Sequence, residues 1–122
     1  MGDHEKEEAL FRKGVEQFNR RHFFEAHETW EEIWLAAPEP ERPFLQGIIQ
    51  VAAAFHHYQR GNRAGAQSLL EAGLKKLQRF PATYRGIALE NLRAAAREWV
   101  AELAAGRSPG QERLLQIRRA VL

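Results

Sequence analysis

The chain has 122 residues and no cysteine: enough for one domain with its own core, but no disulfide, thiolate nucleophile or zinc–cysteine site. Formal charge is +2, yet residues 1–40 carry ten acidic against five basic side chains and residues 41–122 six against thirteen, which fits an acidic partner for the second half or self-association of opposite faces. The nearly apolar run at 47–55 is far short of the ~20 residues of a membrane span.

The polar, acidic start is no secretory signal, so a cytoplasmic protein with no membrane partner is expected. Abundant Ala, Arg, Glu and Leu with a single Met give it a thermophile-like composition.

Apolar residues recur at helical spacing in every segment and none shows sustained alternation, so the expected fold is all-α, a single-domain bundle of five to six helices. Asp3 stands where an N-cap opens a first helix whose apolar side is Leu10, Phe11, Val15 and Phe18, fading near 19–21. A second helix, about 23–36, is closed by Pro38 and Pro40. On its wheel Phe23, His27, Trp30 and Trp34 fall within about 60° of one another, and Glu31 flanks them.

The third helix, roughly 41–60, is apolar around most of its circumference, which marks it as central. Its one polar line is Gln46, Gln50 and His57. Gly61-Asn62 supplies a stop and the next N-cap, predicting a tetratricopeptide-like helical hairpin at about 43–79. No second copy recurs at a fixed period. Gly65 and Gly73 cost helix propensity, which predicts close backbone approach to a neighbour. A fifth helix, about 86–105, shows Leu89, Leu92, Ala96, Trp99 and Leu103 as a stripe. Beyond the turn at 108–110, Leu114, Ile117 and Val121 predict a C-terminal helical extension over 107–122.

The segments FNRRHFFEAHETWEEIW (18–34) and FLQGIIQVAAAFHHYQRGNRAGAQSLL (44–70) resemble the small all-helical domain-of-unknown-function family number 309, found as hypothetical proteins in prokaryotes. The resemblance covers about residues 11–80 and is carried by the Phe-x-Glu-x-His-Glu piece at 23–28 and the Leu-Gln-Gly-x-Ile-Gln piece at 45–50. It implies an all-helical fold. It implies no established activity and supplies no catalytic residues.

His27 and Glu31 lie at i, i+4, a spacing that can place both on one metal. However, the second histidine of H-E-x-x-H is absent, and no Glu-x-x-His of a di-metal bundle occurs. Neither a metal nor a cofactor is expected. The structural reading makes His27 and Glu31 a buried pair that fixes helix register. The functional reading is a polar pocket between the second and third helices. There His27, Glu31, Gln46, Gln50 and His57 converge against Trp30 or Trp34, with His27 as base and Glu31 as its orienter. His56 falls with the core or an interface, and Glu25, Glu28 and Glu32 form a wet face.

Lys and Arg between 75 and 119 are interleaved with Glu and carry no recognition motif, so specific nucleic-acid reading is not expected. With no complete catalytic template, the first expectation is a non-enzymatic interaction or self-association module, a homo-oligomer or the binder of a protein partner. The alternative is a small ligand-binding protein or enzyme centred on that pocket. Weak nucleic-acid contact through the basic half comes third.

Overall fold

A computed structural model describes residues 2–120, the side chain of Asp3 excepted. The described residues form five α-helices: α1 Asp3–Asn19, α2 Phe23–Ala36, α3 Arg42–Gln59, α4 Arg63–Leu77 and α5 Leu89–Ala104. A 3-10 turn at Glu39–Glu41 leads into α3, with Pro43 in its first turn, where the missing N–H costs nothing. Successive helices pack in chain order, α1 on α2, α2 on α3 and α3 on α4, with α5 against α4. The capping role expected of the Asp3 side chain lies outside the described residues, as does Val121.

The apolar stripes meet in a core dominated by rings. Phe18 meets Phe23 edge-on at 4.9 Å, Phe23 lies 5.4 Å from Phe55, and Phe55 meets Trp99 edge-on at 5.1 Å. These contacts run from α1 to α5, and edge-on rings add to what burial alone contributes. α3 sits at the centre with nine buried residues.

The α1–α2 and α3–α4 turns share one geometry. Arg21 and Gly61 each take a left-handed φ, 69° and 81°. The following N–H reaches back to Gln17 O in one turn and His57 O in the other, at 2.9 Å in both, the hydrogen bond that closes a Schellman motif. In the second turn Asn62 caps α4 by accepting from the Gly65 N–H at 2.9 Å.

Gly73 allows close helix packing, since a Cβ there would lie 2.8 Å from the carbonyl oxygen of Gly47 on α3. At Gly65 the neighbour is instead the Asn62 cap of its own helix, so the expected inter-helix approach there is corrected.

Two further corrections concern the second half. Residues 86–88 are not helical. β1 Thr83–Tyr84 and β2 Ile87–Ala88 form a short antiparallel hairpin, with Thr83 opposite Ala88 and Tyr84 opposite Ile87. Its two-residue turn puts Arg85 and Gly86 at φ 49° and 78°, the mirror-image turn that suits strand twist.

The expected helical extension over 107–122 is also absent from the described residues. After a 3-10 turn at Gln111–Arg113 the chain runs extended, a strap bridged to β2 through Ile87 and Arg119. Ala88 N–H donates to Arg118 O at 2.8 Å and Ala120 N–H to Gly86 O at 2.9 Å. Leu114, Leu115 and Ile117 are buried. Backbone partners remote in sequence capture this segment, and they override its local periodicity.

Candidate functional site

The expected pocket residues are scattered over several places. Trp30 is sealed in the core and walls no pocket; its indole N–H donates to Phe11 O at 3.2 Å. Gly14 makes the room, because a Cβ there would lie 2.1 Å from that indole nitrogen. Trp34 is half-buried beneath the guanidinium of Arg42, 4.3 Å from the ring centre, a cation–π arrangement.

Gln50 packs beside Gly73 of α4, and its side-chain oxygen is buried without a partner. Gln46 is half-buried and makes no side-chain hydrogen bond among the described residues. The convergence of five polar side chains therefore does not form. Gln46, Gln50 and His57 are all half-buried, and Gln50 lies against α4 rather than α2.

His27 and His57 do come together, in different company. With Phe24, Ala53 and His56 they line a cavity of about 130 Å³ between α2 and α3. Phe24 stacks on the His27 ring at 5.9 Å and lies 5.1 Å from His56. Nδ1 of His27 is buried and has no partner among the described residues, while Nδ1 of His57 meets the Asn62 amide at 3.0 Å. Glu31 stands 3.7 Å from His27 Nε2, but it is 51% exposed against 26% for His27. The imidazole–carboxylate couple expected to be hidden from water is thus half-exposed, with its carboxylate on the wet side. A pair of this kind contributes about 1 kcal/mol at most.

His56, expected among core or interface residues, is a cavity wall. Burial pushes its pKa below the ordinary histidine value; Arg60, His57 and His27 add to the lowering, and Glu25 opposes it. Neighbouring imidazoles next to a guanidinium disfavour a further positive charge. Among the described residues no three His, Asp or Glu side chains converge as a metal ion would require.

Phe24 carries no polar group, so its own chemistry does not mark it as a site residue. The available signal was the Phe23-Phe24 pair, of which an amphipathic helix can bury only one. Phe23 is buried, whereas Phe24 is 43% exposed; Leu35, on the same side of α2, is 69% exposed.

Several cations of the basic half are committed to internal contacts. Arg93 is buried and donates to Leu77 O and Phe80 O, both at 2.7 Å, and to Glu90. Arg97 also pairs with Glu90, and Arg107 and Arg113 pair with Glu102. These guanidinium groups hold both carboxyls below the usual range.

The model of the domain of unknown function DUF309 matches residues 11–69. This segment is what the chain shares with that family. It holds α2, α3 and about half each of α1 and α4, with every residue of the cavity; the hairpin and strap lie beyond it.

Two relatives are informative about extent. An uncharacterized protein of Aquifex aeolicus (strain VF5) is 29% identical over 105 residues, 85% of this chain and 32% of that protein. The uncharacterized protein YpuF of Bacillus subtilis (strain 168) is 40% identical over 65 residues, 52% of this chain and 37% of that protein. The chain thus spans about a third of the length of the curated relatives it matches.

No helix among the described residues is long and apolar enough to cross a membrane.

Proposed function

We propose that this chain is a non-enzymatic association module whose contact surface is the outer face of α2 with the adjoining edge of α3. One observation carries the reading: Phe24 and Leu35 are exposed on a single side of α2, with the histidine-lined cavity next to Phe24. A helix that buries Phe23, Ala26, Trp30 and Ile33 on its inner side has no packing reason to present two further large apolar side chains outward. An aromatic beside a cavity suits recognition, where one well-seated anchor dominates affinity.

The test compares the wild type with the double variant Phe24→Ser, Leu35→Ser. The wild type is expected to gain mass with concentration in sedimentation, or to bind an apolar reporter dye reversibly. The double variant should lose that behaviour while melting at the same temperature. A wild type showing neither property would refute the reading.

A second reading, a small-ligand site, is favoured by the buried Nδ1 of His27 at the cavity, which has no partner among the described residues. It expects small carboxylates or inorganic phosphate to raise the melting temperature in the wild type and not in His27→Ala. An equal response in both proteins removes it.

A further inference from the structure

The outward side of α2 combines charge and apolar surface in a fixed order. Phe24, Glu28, Glu31 and Leu35 follow one another at spacings of four, three and four, so they form one line along the helix. At 1.5 Å per residue the line is roughly 16 Å long. Glu25 and Glu32 flank it. Phe24 and Leu35, its two ends, are the large apolar side chains exposed among the described residues. A shallow concavity lined by Glu28, Thr29, Glu31, Glu32 and Leu35 lies at one end, and the cavity of about 130 Å³ beside Phe24 lies at the other. Glu28 and Glu32 make no ion pair among the described residues, and Glu31 has only the 3.7 Å approach to His27.

We infer that this line docks a basic amphipathic helix of another chain, with apolar residues placed at Phe24 and Leu35 and Lys or Arg set against the carboxylates between them. The inference rests on the association reading above and adds the partner's chemistry.

A second copy of this chain meets only half of the requirement. Placed face to face, two such lines oppose glutamates to glutamates, which costs affinity. Placed head to tail, the basic half brings cations, but among its described residues it exposes no large apolar side chain to meet Phe24 or Leu35. Several of those cations are also already paired with Glu90 and Glu102. An anionic lipid surface is repelled by the same carboxylates. A helix that is basic and apolar at helical spacing satisfies both the charge and the two anchors, the helix-in-groove mode of recognition.

The probe is a Leu/Lys model peptide of amphipathic order, two to three heptads long, titrated against the whole chain at low salt. Its controls are a Leu/Glu peptide of the same order and a scrambled Leu/Lys peptide. The Leu/Lys peptide is expected to bind, and rising salt to weaken it. Phe24→Ser should weaken binding by about tenfold or more, as should Glu28→Lys combined with Glu32→Lys. Leu35→Ser serves as a second anchor variant, and melting curves check that each variant folds.

Each contrary result has a distinct meaning. If the Leu/Glu peptide binds in a Phe24-dependent way, the docking face stands and the basic partner is wrong. A dimer that Phe24→Ser dissolves makes the occupant a second copy and likewise overturns the inference. Binding of Leu/Lys that ignores Phe24→Ser or matches the scrambled peptide is unspecific charge attraction and also overturns it. Absence of binding by every peptide, with no self-association, overturns the association reading as well.

Discussion

The helices α1 to α4 and the stretch from 78 to 120 share one apolar core, but the second adds bonds of another kind. In the first region, rings interlock between neighbouring helices, and most buried side chains are apolar. In the second, polar side chains capture backbone groups. Arg93 holds the carbonyls of Leu77 and Phe80 at the end of the fourth helix, Arg63 those of Leu103 and Arg107 at the end of the fifth, and Trp99 donates to Arg113 O at 2.8 Å. The Asn19 amide both donates to Ile117 O, at 2.9 Å, and accepts from Ile117 N–H, at 2.7 Å. Burial of rings is tolerant of detail, whereas each backbone capture depends on one side chain with the right donor geometry.

The sharpest break of that contrast is Trp30→Ala. Removing a fully buried indole is expected to cost about 3–5 kcal/mol, read from the denaturant midpoint, and to loosen α1 against α2. Arg93→Met keeps the bulk of a buried side chain but strands two carbonyls and should cost about 2–4 kcal/mol. Arg93→Lys should rescue little of it, because a single ammonium cannot replace the guanidinium fork. Full rescue by lysine would mean that charge, not geometry, matters there.

Asn19→Ala removes two hydrogen bonds at a partly buried site and is expected to cost about 1–2 kcal/mol. Its signature is local. Amide exchange should speed up at Ala88 and Ala120, whose N–H groups bond Arg118 O and Gly86 O, while amides of α3 keep their protection. Uniform loss across α3 would show that the two regions unfold as one.

The smallest effect concerns Tyr84, which donates to Glu41 and joins the hairpin to the turn before α3. Burial, then that hydrogen bond and the Glu41 charge, raise its pKa to about 12, against the opposing effect of Arg85. A phenol whose folded pKa exceeds the unfolded value of 10 contributes stability that is whole below pH 10 and is lost as the pH climbs from 10 to about 12. Tyr84→Phe should flatten that alkaline slope. An unchanged slope would mean that the phenol titrates alike in both states.

These contrasts also explain which parts could be read in the residue order. The α2 boundaries 23–36, the central place of α3 and the stop at Gly61-Asn62 follow from periodicity and turn chemistry, which act within a few residues. The strap does not, because what makes it extended is the edge of β2 and the amide of Asn19, and neither is near it in the chain. Leu114 and Ile117 are apolar at helical spacing, yet Leu115 between them is buried too, a pattern that suits a covered extended segment equally well.

At the candidate site, the family segment and the His27–Glu31 approach were legible. The outward turn of Glu31, the sealing of Trp30 by Gly14 and the exposure of Phe24 were not, since each depends on how α1 and α3 rotate against α2.

The Asn19–Ile117 contact spans 98 positions, and this fixes an order of events during synthesis. The first helices emerge from the ribosome with their packing partners close behind them, and they can collapse while translation continues. Asn19 must wait, solvated, until nearly a hundred more residues have been made. Loop closure over such a length is slow compared with helix pairing, so this amide is among the last groups in the molecule to find its partner. A nascent chain stalled short of the strap would carry a nearly finished helical body with its rear seam still open.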